Sequence, residues 1–368
     1  MASRNKACEN RRSLRIAMLV PPWYEVPPPG YGGVEQVVAG LVDALVDRGH
    51  DVTLFGAGAE TGTQARLEAT VGEPQIERLG EFLPEVAHVA RANRMIEAGG
   101  FDVVHDHTVV GPLTAERRSV PTVATVHGSP IDEYGDVLRS LSSGVRLVAI
   151  SDAQRRLAPA LPWYGTVHNG MVLDGLNDRP TGSAAGRAGG PVLWLARFSA
   201  EKAPELAIEA CRAAGLPLVL AGKCVEPFEQ EYFRTVVERM LGPDVELILN
   251  PDRAATARLL LSARCLIMPI QWEEPFGMVV IEAMAAGTPV VTLNRGAMPE
   301  LVQDGVTGFV RDDPSDLPQA LHDAARLSER ACREHVSMNF STERMAEGYE
   351  LVYADNRNAP LLARAQIL

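Results

Sequence analysis

Apolar positions in this chain fall into two alternating patterns. Short β-rich runs, RIAMLV at 15–20, DVTLFG at 51–56, DVVHDH at 102–107, TVATVHG at 122–128 and RLVAIS at 146–151, alternate with helix-length segments such as VEQVVAGLVDALVDRG at 34–49. This is the rhythm of a parallel α/β sheet. A polar, small-residue stretch from Met171 to Gly190, containing LNDRPTGSAAGRAGG, reads as an interdomain linker. A second series follows, with strands expected at PVLWLARF, PLVLAG, VELILN, CLIMPI, PVVTLN and GFVR, and helices around Pro204 to Ala214, Ala254 to Ser262 and Met278 to Ala286. The expected division is a Rossmann-like domain at 1–180, with 1–13 a disordered tail, a second at 181–342, and a helix within 343–368. Open parallel sheets bind ligands beyond the carboxyl ends of their strands, so the loops after these runs should face an interdomain cleft.

Length and charge narrow the function classes. A chain of 368 residues is too long for one ordinary core and suits two α/β domains. A hydrophobic content of 46% with 22% charged residues is that of a globular enzyme and argues against extended disorder. A net charge of −12 argues against nucleic acid as a partner, since phosphate binding needs concentrated positive charge. No apolar run reaches membrane-spanning length. To residue 180 there are 17 basic and 22 acidic residues, so the first half is not the strongly basic domain that would seek anionic lipid. A cytoplasmic location is expected, with peripheral membrane contact left open. The five cysteines, Cys8, Cys211, Cys224, Cys265 and Cys332, show no paired metal spacing and read as reduced thiols.

The stretch EPFGMVVIEAMAAGTPVV, Glu274 to Val291, carries the most chemistry. From Met278 on it suits a short helix apolar all round, with Glu282 in its middle. A carboxylate in that setting needs a cation, hydroxyls or a backbone donor, and sugar hydroxyls meet the need. Pro275 fits the first helical turn and leaves Glu274 at the helix mouth. The amides of Phe276, Gly277 and Met278 then offer free N–H groups at the positive end of the helix dipole, suited to phosphate or sugar oxygens. The bland alternative is a capping carboxylate with one solvated helix glutamate. The segment resembles the E-x7-E signature of family-4 retaining glycosyltransferases, which have the GT-B fold of two Rossmann-like parallel-sheet domains facing an interdomain cleft. The resemblance implies that Glu274 contacts the transferred sugar, that Glu282 binds the ribose of the nucleotide, and that the Phe276, Gly277 and Met278 amides hold sugar and diphosphate. It also implies that the C-terminal helix returns to the first domain.

Other loops extend the resemblance from the first strand to about Phe309. The proline-rich insertion after strand one separates it from Gly30, Gly32 and Gly33, which disfavours the tight turn of a nicotinamide-cofactor site. GYGGVE is instead similar to the family's glycine-rich loop against donor diphosphate or sugar, which assigns Gly32 and Gly33 to the donor. His127 ends TVATVH, and a histidine in the matching family segment lies near the reacting sugar. His105 and His107 flank Asp106, yet no recognisable metal spacing emerges, and no metal is assigned. Ser151, Asn169 and Gly170 fall in segments similar to family scaffold loops, with His168 in place of the usual proline. Arg197 and Lys202 stand five apart after a strand, and two such cations can neutralise a leaving diphosphate without a metal. Their segment resembles the family element G-R-L-x-x-x-K-G, with Ala196 and Ala203 replacing both glycines.

The implied reaction is metal-independent transfer of a hexosyl group from a nucleotide-diphosphate sugar, UDP-hexose before GDP-mannose, to an unidentified acceptor. Retention by a front-face, internal-return path is expected, with no cofactor beyond the nucleotide sugar as co-substrate. Alternatives are a sugar-nucleotide epimerase or hydrolase of the same fold, and a noncatalytic nucleotide-sugar-binding protein.

Overall fold

The computed structural model describes residues 13–30, 32–173 and 189–358. The expected tail at 1–13 lies outside the described residues apart from Ser13, as does the expected linker between 173 and 189. The described residues form two compact units: 13–149, 159–167 and 345–358 in one, 150–158 and the described part of 168–344 in the other.

The first unit is a seven-stranded sheet. Its strands are β1 (Arg15–Leu19), β2 (Asp51–Ala57), β3 (Arg66–Val71), β4 (Val103–Asp106), β5 (Thr122–Val126), β6 (Val145–Ala149) and β7 (Trp163–Thr166). They lie in the order β3-β2-β1-β4-β5-β6-β7, and all pair in parallel. The second unit has six strands, β8 (Val192–Leu195), β9 (Leu218–Gly222), β10 (Val245–Leu249), β11 (Cys265–Met268), β12 (Val290–Leu293) and β13 (Gly308–Arg311). Their order is β10-β9-β8-β11-β12-β13, again all parallel. Each order reverses once, at β1/β4 and at β8/β11, and such switch points are where doubly wound sheets bind ligands. The glycine-rich loop follows β1, and His107 follows β4. Arg197 and Lys202 follow β8, and Glu274 follows β11.

Central strands such as β8, β9 and β11 are buried at every position, which is why they read as apolar runs. The sequence reading missed β3 and β7. Both are edge strands with mostly exposed or half-buried positions, so RLEATV and WYGT carry no apolar run to betray them. Trp194 and Phe198, both fully buried, pack with ring centroids 5.0 Å apart in the core of the second unit.

The helix Thr342–Asn358 begins in the second unit and belongs from Met345 onward to the first. Tyr349 and Tyr353 anchor it there, both almost wholly buried. The Tyr349 hydroxyl lies 2.8 Å from Thr125 Oγ1, and the Tyr353 hydroxyl 2.7 Å from His105 Nδ1. Buried hydroxyls demand such partners, since an unsatisfied one costs about 1–3 kcal/mol. Among the described residues no helix is long and apolar enough to cross a membrane.

Candidate active site

The second unit assembles its chemistry from the loops after β8 and β11. Beyond β8, Ser199 leads into a 3-10 turn, Ala200–Lys202, and the indole N–H of buried Trp194 donates to the Lys202 carbonyl at 3.0 Å. That bond ties the cation loop to the hydrophobic core. The Gln271 amide donates to the Glu201 carbonyl at 2.8 Å, lacing the two loops together.

Glu274 is held on both its backbone and its carboxylate. Its carbonyl accepts from the Ala297 amide at 2.9 Å, and Gly296, at φ 51°, passes so close that a Cβ there would overlap the Glu274 backbone. Lys202 Nζ makes a short ion pair with Glu274 Oε2, and the Trp272 indole N–H donates to the same oxygen at 2.8 Å. Lys202 Nζ also sits 5.1 Å from the centre of the Trp272 ring, within cation–π range. Both side chains of the ion pair are nearly nine-tenths buried. The sequence brought Lys202 and Glu274 forward separately; the structure pairs them. Arg197, by contrast, pairs with Glu201 at 2.7 Å on a partly exposed surface.

Gly277 opens the helix Met278–Ala285 at φ 97°, a left-handed conformation that favours glycine, and a Cβ there would meet the Met298 methyl at 2.8 Å. Among the described residues the amides of Phe276, Gly277 and Met278 have no acceptor, so three donors stand free beside Glu274. Within the helix Val280, Ile281, Ala283, Met284 and Ala285 are buried and Glu282 is partly buried. Burial pushes the Glu282 carboxyl above its ordinary range, while the Arg253 charge pulls the other way. No hydrogen bond or ion pair reaches that carboxylate among the described residues.

In the first unit, Gly32 caps the helix Gly33–Asp47, and a Cβ on it would lie 2.8 Å from the Pro28 ring, whereas Gly33 faces open space. Glu35, on the same first turn, is 3% exposed, and burial raises its carboxyl to about 7. His127 follows β5 and its Nε2 lies 2.8 Å from His107 Nδ1. The nitrogens of His105 are both engaged, by Tyr353 and by Thr125, so this residue is part of the core. Burial pushes His127 down to about 4 and His105 to about 3, so both rings are neutral at neutral pH.

The scaffold loops do more than line the second unit. Glu300 accepts from the Asp152 amide at 2.8 Å and the Ala153 amide at 2.5 Å, and lies 3.1 Å from His168 Nε2 and 3.3 Å from Arg156. Ser151 caps the same short helix, Asp152–Leu157, accepting from the Gln154 amide at 3.0 Å. His168, which stands where the family usually has proline, is therefore a working hydrogen-bond partner. Trp272, Glu35 and Glu300 were not singled out from the sequence. Trp272 adjoins two acidic residues and could have been noticed; Glu300, 132 positions from His168, left no local signal.

Two Rossmann-like parallel sheets, with cations after one switch-point strand and a glutamate-led helix after the next, define an α/β architecture of the GT-B class. The "Glycosyl transferases group 1" family model matches residues 191–333, and the "Glycosyltransferase Family 4" model matches 31–170. The chain is 34% identical over 370 residues to spore coat protein SA of Bacillus subtilis (strain 168), covering 89% of this chain and 96% of that one. It is 28% identical over 338 residues to a phosphatidyl-myo-inositol mannosyltransferase of Mycobacterium leprae (strain TN), covering 84% and 86%. Among solved structures, AviGT4, a glycosyltransferase involved in avilamycin A biosynthesis, superposes with a TM-score of 0.69 at 25% identity, covering 94% of this chain and 99% of that one. The chain belongs to glycosyltransferase family 4 and is a glycosyltransferase of the GT-B fold.

Proposed function

We propose that the protein transfers a hexosyl group from a nucleoside-diphosphate sugar to an acceptor hydroxyl, with retention of anomeric configuration and without a metal ion. The observation that carries this reading is the Lys202–Glu274 pair beside the three unpartnered amides of Phe276, Gly277 and Met278. In the ligand-free protein each charge of the pair answers the other. A donor diphosphate competes for Lys202, is met also by Arg197 and the helix amides, and frees a Glu274 oxygen to accept from the sugar hydroxyls. Glu282, with its carboxylate unpartnered, accepts from the ribose hydroxyls. Gly32 and Gly33 let backbone approach the diphosphate, and His127 contacts the sugar.

In the reaction, the bond from C1 to the phosphate oxygen stretches toward an oxocarbenium-like state. Negative charge grows on the diphosphate, where the cations and amides stabilise it more than in the ground state. The acceptor hydroxyl attacks C1 from the face the phosphate leaves, and its proton passes to the departing phosphate oxygen. No carboxylate of the assigned set is given the nucleophile's part, which separates this path from that of a retaining glycosidase.

The donor is tested with a panel of nucleotide sugars headed by UDP-hexoses. GDP-mannose follows, its sugar being the one the M. leprae relative is named for transferring. Glu274→Ala and Lys202→Ala should each lower turnover by at least about a hundredfold while the protein stays folded, the scale for losing one transition-state contact. Wild-type turnover in both variants would remove the site assignment. Proton NMR of the product reads the anomer, and an inverted product would overturn the internal-return path. Full activity in EDTA is expected; its loss, restored by a divalent cation, would overturn metal independence. Free sugar or an epimerised nucleotide sugar as the main product, even with a panel of acceptors present, would favour the hydrolase or epimerase reading.

A further inference from the structure

His107 is 5% exposed and sits between two rings, its centroid 4.1 Å from that of His105 and 5.1 Å from that of His127. Its Nε2 lies 3.2 Å from the sulfur of Met18, and its Nδ1 lies 2.8 Å from His127 Nε2. A thioether sulfur can only accept. The proton of a neutral His107 therefore belongs on Nε2, facing the sulfur, since the opposite tautomer would set a nitrogen lone pair against sulfur lone pairs. His107 Nδ1 is then an acceptor, and it can be satisfied only if His127 carries its own proton on Nε2. A neutral imidazole has one N–H, so His127 Nδ1 is left as a bare lone pair. That nitrogen makes no hydrogen bond among the described residues, and His127 is partly exposed.

We infer that His107 is a positioning residue that fixes His127 as the Nε2–H tautomer, so that His127 Nδ1 accepts a hydrogen bond from a neutral hydroxyl of the transferred sugar. The inference rests on the proposed placement of His127 at the donor sugar. It extends that placement by specifying the group recognised: a hydroxyl donor, to the exclusion of phosphate or carbonyl oxygens, which would face the lone pair with lone pairs of their own. Burial holds all three rings in this chain of contacts well below their ordinary pKa, which keeps the one-proton arithmetic valid at neutral pH.

The deciding measurement is the tautomer itself. Full-length protein labelled with 15N-histidine, ligand-free at neutral pH, is examined by long-range 1H–15N correlation, with the His127 signals assigned by their loss in His127→Gln. A pyridine-like Nδ1 and pyrrole-like Nε2 are expected at His127. His107→Phe keeps a ring but offers no acceptor, and should give a mixed tautomer. His107→Asn, whose Oδ1 can stand where Nδ1 stood, should restore the Nε2–H form. Release of sugar from UDP-glucose, UDP-galactose and GDP-mannose should follow the same order, kcat falling about tenfold in the Phe variant and recovering in the Asn variant. A pyrrole-like Nδ1 in the wild type would overturn the tautomer assignment and leave the donor site untouched. Full turnover in His127→Ala would overturn the hydroxyl contact through the placement of His127, whatever the tautomer.

Discussion

Lys202 and Glu274, 72 positions apart, meet because β8 and β11 are neighbours in the sheet and each ends in a loop at the same edge. Between them the cation loop turns through Ala203, which is fully buried at φ 46° and ψ 58°. Among the described residues the other non-glycine positions at positive φ are Asp132 and Asn250, types that tolerate this region; alanine does not, at about 1–2 kcal/mol. The family element has glycine here, so the chain keeps the backbone geometry and bears the strain. Ala203→Gly should stabilise the protein by about 0.5–1 kcal/mol in urea unfolding, the relief of strain exceeding the added freedom of the unfolded chain. It should also leave turnover near wild type. A loss of stability would mean that packing of the buried methyl outweighs the strain.

At the level of elements, Glu300 on the short helix Met298–Leu301 holds the start of Asp152–Leu157 and the His168 segment together within the second unit. Burial alone would push its carboxyl up from 4.5, but hydrogen bonds from His168 and from the Asp152 and Ala153 amides outweigh this and hold it below that value. The sign follows from linkage. A carboxyl with a depressed folded-state pKa contributes stability above the unfolded value, and loses it as pH falls through the folded one. The stability that the charged Glu300 carboxylate adds over Glu300→Gln should therefore shrink as pH falls below about 4.5. A difference that does not change with pH in urea titrations would show that the carboxylate's charge contributes nothing to this hub. His168 is the element-level lesson in reading the sequence. It stands in place of a family proline, and its use became visible only with Glu300 beside it.

For the whole molecule, each unit has its own parallel sheet and its own buried core, so a single unfolding free energy is not assured. The assigned nucleotide contacts other than Gly32 and Gly33 belong to the second unit. The matching nucleoside diphosphate, without any sugar, should raise the thermal stability of that unit, by about 2.7 kcal/mol at a hundred times its Kd. Scanning calorimetry with UDP, GDP and ADP would read both the base preference and which transition moves. Glu282→Gln should lower the affinity for the preferred nucleotide about tenfold, the value of a charge-assisted hydrogen bond. An unchanged affinity would remove Glu282 from the ribose.

Much of this was legible in the linear pattern. Central strands declare themselves because burial on both faces favours apolar runs, and the helix expected around Pro204 to Ala214 forms at Pro204–Ala214, with its proline in the first turn and a left-handed Gly215 after it. Edge strands β3 and β7 did not, because half-solvated strands need no such run. EPFGMVVIEAMAAGTPVV announced its two glutamates by the same logic, polar groups standing out where everything else is apolar. What the sequence by itself determined, then, was the alternation of elements, the two-sheet architecture and the residue types at the strand ends. Only the tertiary structure decided their pairings: Lys202 with Glu274 and Trp272, His107 with His127 and Met18, Glu300 with His168. Hydrophobic periodicity is a local property that each segment carries alone. Hydrogen bonds and ion pairs between loops depend on which strands lie side by side, and the crossovers that bring distant strands together leave no mark on either partner's neighbourhood in the chain.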